Sequence, residues 1–123
     1  MPPDQNMPPE HYVDGFLAPV PLANREAYLQ TARASSEVFK AHGAVQIVEC
    51  WGDEVPEGKL TSLPMAVQCQ PDETVVFSWI VWPSKAVRDA GWEAAMADPD
   101  MPRDTPYDAG RMIYGGFKVI LAR

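Results

Sequence analysis

The sequence predicts an α+β fold: a β-α-β-β-α-β sandwich with an extra hairpin strand, an antiparallel sheet and both helices on one sheet face. Three observations carry this prediction. The run Thr74-Val75-Val76-Phe77-Ser78-Trp79-Ile80-Val81-Trp82 is the most apolar in the chain and is rich in β-branched and aromatic residues, the composition of a strand. Tyr28, Ala32, Ser35, Phe39 and His42 recur at four- and three-residue spacing, which is one face of an amphipathic helix. Strand-like and helix-like stretches then alternate in an order that closes one small sheet.

The central strand sets the packing problem. Val75, Phe77, Trp79 and Val81 share one face, and Val76, Ser78, Ile80 and Trp82 share the other. Both faces are mostly apolar. Two helices cover one of them; a chain of 123 residues has little left for the second. A homodimer, sheet to sheet about a two-fold axis, solves this.

Taken in order, residues 1–10 contain four prolines and no periodicity and read as a flexible tail ahead of a single domain over 11–123. Tyr12 to Ala18 reads as the first strand, ended by Pro19-Val20-Pro21. Asp14 within it is costly unless paired, so it either meets a cation or serves as a pocket carboxylate. Asn24 caps the first helix, and Gly43 ends it. His42, in the last turn, complements the helix dipole or acts as a base.

Ala44 to Trp51 reads as the second strand, with Glu49 inside it. The acidic loop that follows, with Asp53, Glu54 and Glu57, has no calcium-loop spacing and reads as solvated. Met65 to Gln70 alternates like a strand and forms a hairpin arm with the central strand. Ser84 caps a second helix that ends near Asp98-Pro99. Its small residues Ala90, Gly91, Ala94 and Ala95 allow close approach to the sheet, while Trp92 falls off that stripe and packs on the surface, or else covers an opening or a dimer seam. Arg111 to Leu121 reads as the last strand. Gly115-Gly116 within it implies a bulge or a close approach by another group.

The net charge of −7 and the absence of a Lys/Arg cluster argue against nucleic acid and against an anionic membrane surface as partners. No apolar run reaches spanning length, and the first residues lack signal-peptide character; a cytoplasmic location is expected. Cys50 and Cys69 read as reduced thiols. With only two histidines, His11 and His42, a His-based metal site is not expected. No dinucleotide, P-loop, zincin or nucleophile-elbow pattern occurs, so no cofactor is expected.

Stripped of the arm, the element order is that of the ferredoxin-like split unit. Specific motifs run along the chain: Tyr12-Val13-Asp14-Gly15-Phe16, Gly43-Ala44, Val48-Glu49-Cys50-Trp51, Val55-Pro56 with Gly58-Lys59, and Met65-Ala66-Val67. Val75 to Ile80, Pro83-Ser84-Lys85, Val87-Arg88-Asp89-Ala90, Asp98-Pro99 and Arg111 to Phe117 continue them. On these motifs the chain resembles the YbaA-like bacterial family of unknown function, within the dimeric α/β-barrel superfamily. Trp92, Leu63-Pro64 and a short 100–111 segment depart from the family pattern. The resemblance implies a fold and a dimeric barrel, but no reaction; the superfamily spans cofactor-independent monooxygenases, isomerases and haem-degrading enzymes.

Two kinds of function follow. One is a small organic ligand held in a cleft between sheet and helices, with or without oxygenase or isomerase chemistry. Phe77, Trp79, Trp82 and Glu49 are its candidate ligand-binding residues. Asp14 or His42 would act as base, and Arg111 or Tyr114 would steady an oxyanion; alternatively Arg111 pairs with Asp14 or Asp108, and Tyr114 belongs to the core. The other kind is a non-catalytic dimeric module with no pocket.

Overall fold

The computed structural model describes residues 10–123, so most of the expected N-terminal tail lies outside the described residues. Four strands form one antiparallel sheet: β1 (Tyr12–Pro21), β2 (Gln46–Trp51), β3 (Glu73–Trp82) and β4 (Ile113–Lys118), in the spatial order β2-β3-β1-β4. Helices α1 (Arg25–Ala41) and α3 (Lys85–Ala97) lie on one face, and α2 (Leu63–Ala66) is a single turn. This is the expected ferredoxin-like α+β arrangement.

β3 is central, paired with β2 from Gln46↔Val81 to Trp51↔Val76 and with β1 from Tyr12↔Trp82 to Pro21↔Glu73. The Pro19-Val20-Pro21 stretch does not break β1, contrary to expectation. β4 pairs with β1 only as far as Leu17↔Ile113. Beyond that point β1 is a sheet edge, and prolines there cost no ladder hydrogen bond.

The predicted hairpin arm over Met65 to Gln70 is not a strand. Ser62 accepts a hydrogen bond from the Met65 amide at 3.1 Å, and Pro64 sits in the first turn, so the segment opens as α2. Gln68 then takes a left-handed φ of 52°. The alternation of Met65, Val67 and Cys69 reflects one plug: Val67 is buried against Leu17 and Val75. These two residues lie on the sheet face opposite the long helices, so α2 covers one end of that face. Phe77 (51% exposed), Phe117 (60%) and Ile113 (46%) stay open on the rest of it.

On the helical face, Val38, Phe39, Ala44, Ile80, Trp82, Ala95 and Met101 form the main core. Gly91 is the point of closest helix–sheet approach, because a Cβ there would overlap the Trp82 ring. The Ser84 hydroxyl caps α3 by accepting from the Val87 amide at 3.1 Å. Asn24 precedes α1 as expected but does not cap it through its side chain. Its amide instead donates to the Pro106 carbonyl at 2.8 Å. Gly43, at φ 114°, ends α1.

β4 is shorter than the expected Arg111–Leu121 and holds no bulge at Gly115-Gly116, since pairing runs unbroken through Gly15↔Gly115 and Asp14↔Gly116. The close-approach alternative holds. The Tyr12 ring lies where a Cβ on Gly116 would go.

Candidate functional site

Between the helical face of the sheet and the two long helices lies a cavity of about 370 Å³. The face of α1 read from the sequence supplies Tyr28, Ala32, Ser35 and Phe39; β1 gives Phe16 and Ala18; β2 and β3 give Ile47, Glu49, Ser78 and Ile80; α3 gives Trp92 and Met96. The segment 99–112 closes over it with Met101, Arg103, Tyr107 and Met112. Small residues on α1 (Ala32, Ser35) leave the space that larger ones would fill.

The cover is tied down at both ends. His42 Nε2 lies 2.8 Å from Asp98 Oδ2. Arg103 donates to the Met96 and Asp98 carbonyls, both at 3.3 Å. Asn24 holds Pro106 from the start of α1. These contacts define the roof without placing His42 among the lining residues.

The polar end of the cavity is built around Glu49. The Tyr28 hydroxyl donates to Glu49 Oε1 at 2.6 Å, and Ser78 is the cross-strand partner of Glu49. Tyr107 stands 5.8 Å from Tyr28 between ring centroids, tilted by 56°. Glu49 keeps solvent access at the mouth, but the crowding of protein around it raises its carboxyl above the usual range, against the hydrogen bonds from Tyr28 and Ser78. Burial and the neighbouring Glu49 charge push both phenols upward. A partly desolvated carboxylate beside a phenol is suited to accept a proton or a hydrogen bond from a bound molecule.

Asp14 serves the cavity from behind. It is 2% exposed. Its Oδ2 accepts from the indole N–H of Trp82 at 2.9 Å and of Trp92 at 2.7 Å. Arg88 clamps both oxygens, with Nη2 to Oδ1 at 2.7 Å and Nε to Oδ2 at 3.1 Å. The Arg88 guanidinium also lies over the Tyr12 ring, 5.1 Å from its centroid. Asp14 thus takes the paired alternative, and its partner is Arg88 rather than Arg111. Trp92 is turned inward, contrary to the surface reading: it packs edge-on to Phe39 at 5.0 Å and tilted against Phe16 at 6.0 Å.

The other candidates are dispersed. Arg111 makes a bidentate bridge to Glu73, both bonds 2.7 Å, and a further one to Asp108 at 3.0 Å; it fastens the base of β4 to β3. Tyr114 is 71% exposed and stacks on the outside of Phe16. Phe77 is on the opposite sheet face. Trp79 borders the cavity between Ser78 and Ile80 but packs its ring against Phe77 at 5.5 Å. Trp82 is fully buried beneath Gly91. Of the eight residues, Glu49 and Trp79 adjoin the cavity, Trp79 with its ring turned to the other sheet face. Sequence reasoning missed Tyr28, Tyr107, Ser78 and Arg88 as site residues; Tyr28 alone carried a signal, as the bulky polar-tipped member of a stripe otherwise rich in small residues.

Among the described residues no group of three or more His, Cys, Asp or Glu side chains converges to hold a metal, and no helix is long and apolar enough to cross a membrane.

The family model for a protein of unknown function, DUF1428, matches residues 11–109. The chain belongs to the DUF1428 family. It is 49% identical over 113 residues to the uncharacterised protein YbaA of Escherichia coli K12, covering 89% of this chain and 97% of that one. The same identity and coverage hold for YbaA of Shigella flexneri. Among solved structures it is similar to a Bacillus cereus protein described as an antibiotic biosynthesis monooxygenase, with a TM-score of 0.57 and 11% identity over 93% of this chain and 97% of that one. It is also similar to SnoaB, a cofactor-independent oxygenase from Streptomyces nogalater, with a TM-score of 0.53 and 13% identity over 92% and 96%. At such identities these two likenesses establish the shared fold.

Proposed function

We propose that this DUF1428 protein is a homodimer that holds a small organic molecule in the cavity between sheet and helices. The observation that carries the reading is the cavity itself. Its volume of about 370 Å³ falls in the range of ligand sites, its walls are rich in aromatic and thioether side chains, and Tyr28, Ser78 and Tyr107 gather at one end around Glu49. The open apolar area around Phe77, Phe117 and Ile113 supports the dimer, since monomers seldom leave such a surface wet. Native mass spectrometry of the protein purified from its own host, with a denatured control, tests both parts. A dimer carrying extra mass that denaturation releases is the expected result. A monomer, or a dimer that neither carries nor takes up apolar small molecules, contradicts it.

The Tyr28–Glu49 pair supports a second reading, an oxygenase- or isomerase-type enzyme in which Glu49 is the base. The oxygenase descriptions of the two structural relatives are in line with it. The base then differs from the Asp14 and His42 expected from the sequence, because both of those carry structural partners. Turnover of a bound molecule that Glu49→Gln abolishes without weakening binding would establish it; unchanged turnover would remove Glu49 from the chemistry.

A further inference from the structure

We propose that the molecule this cavity takes is an apolar organic cation, a protonated amine or a quaternary ammonium, with its charged nitrogen against Glu49. The inference rests on the cavity being a ligand site. Its first support is a contrast with three carboxylates that the fold packs tightly. Asp14 is paired with Arg88, Glu73 with Arg111, and Asp98 with His42. Glu49 has no cationic side chain within ion-pair distance among the described residues, although it is crowded enough for its carboxyl to be raised. The side chains that hydrogen-bond it are neutral hydroxyls, Tyr28 at 2.6 Å and Ser78 on the neighbouring strand. Two positive groups lie near the site without pairing with Glu49: Arg103, in the roof, donates two of its N–H groups to carbonyls, and Arg25 shares a small recess with Glu49 and Tyr28 but lies over Trp51, 5.7 Å from its centroid.

The second support is the wall chemistry. Tyr28 and Tyr107 flank this carboxylate, and Phe16, Phe39 and Trp92 line the rest of the same cavity. Aromatic faces attract a desolvated cation and do nothing comparable for an anion. A neutral guest would fill the apolar part and leave the carboxylate to water. An anionic guest would be repelled by Glu49, and the net charge of −7 adds to that repulsion. A cation restores the missing counter-charge and uses the aromatic wall at once.

The test uses three probes on one skeleton: 1-naphthylmethylamine, 1-naphthalenemethanol and 1-naphthoic acid, titrated calorimetrically into the full-length protein at neutral pH. The amine is expected to bind at least about tenfold more tightly than the alcohol, a gap within reach of one ion pair plus cation–π contact, with the acid weakest. Glu49→Gln should bring the affinities of amine and alcohol together. As a check that needs no variant, the preference of the wild-type protein should vanish as the pH rises past the pKa of the amine itself. Alcohol binding equal to or tighter than the amine, or a preference that survives in Glu49→Gln, overturns the cation and leaves the cavity reading standing. If none of the three binds, the cavity reading falls together with it.

Discussion

The Tyr28 hydroxyl donates to Glu49 Oε1 across 2.6 Å, joining α1 to β2 at the polar end of the cavity. The crowding that raises the Glu49 carboxyl has a definite pH signature. Its folded-state pKa lies above the unfolded value, so between the two values the folded state binds more protons. The contribution of Glu49 to stability is therefore greatest below the unfolded pKa and falls as pH rises through that window. Glu49→Gln should flatten this part of the profile. Urea midpoints taken between about pH 4 and about pH 7 should converge with wild type at the acid end and match or exceed it at the neutral end.

Glu73 acts in the opposite sense. The bidentate bond from Arg111 holds its carboxyl below the usual range. The stabilisation is full above the unfolded pKa and is lost as pH falls through the folded one. Glu73→Gln should unfold at lower urea than wild type at neutral pH, and the gap should close on acidification. A gap independent of pH would mean that the bridge contributes through shape alone.

Asp14 is the most consequential polar residue in the core. Asp14→Ala leaves Arg88 and two indole N–H groups without their acceptor, and should cost about 3–5 kcal/mol. The effect should reach the cavity, since Trp92 loses the bond that aims it. Urea unfolding measures the first part. A change in the Trp92 indole resonance of the still-folded protein measures the second.

The cavity admits a direct steric test. Ala32 is buried on the α1 face that lines it. Ala32→Leu puts three more carbons into that space, and the fold should absorb them where a packed core would lose about 1–3 kcal/mol. Binding of any apolar probe should weaken by about tenfold or more. Thermal melting and calorimetry on the same sample separate the two effects.

How much of this was legible in the sequence depended on range. The α1 stripe from Tyr28 to Phe39 announced a face, and that face lines the cavity, because helical periodicity is local information. The capping of α3 by Ser84 and the break at Gly43 were equally local. Met65 to Gln70 misled because two-residue alternation over six residues also fits a capped turn with one plug residue; Ser62 and Pro64, just upstream, were the better signal. The Asp14–Arg88 pair spans 74 positions, and no local pattern connects two such residues. For Arg111, the expected alternative of pairing with Asp108 holds, three positions away, but its main partner Glu73 is 38 positions off, and together they make a clamp at the base of β4. Trp92 lies outside the small-residue stripe of α3, and its indole still turns inward to reach Asp14, a direction set by the tertiary partner.

The outer sheet face carries the dimer proposal. Phe77→Lys combined with Phe117→Glu puts charges on a surface where each aromatic would otherwise bury for about 1.5–3 kcal/mol. Size-exclusion chromatography with light scattering should find a dimer for wild type and a monomer for the variant. A dimer in both would locate the interface elsewhere.

The cavity as a ligand site is most directly tested by chemical-shift mapping of the nitrogen-15-labelled protein with a mixture of small aromatic fragments. The four tryptophans give separately visible indole N–H signals. Trp92 lines the cavity, whereas the Trp79 ring packs against Phe77 on the other face. The account predicts saturable shifts of the Trp92 indole and of the Tyr28 to Phe39 backbone, with Trp79 little changed. Shifts confined to the Phe77–Trp79 side, or none at all, would contradict it.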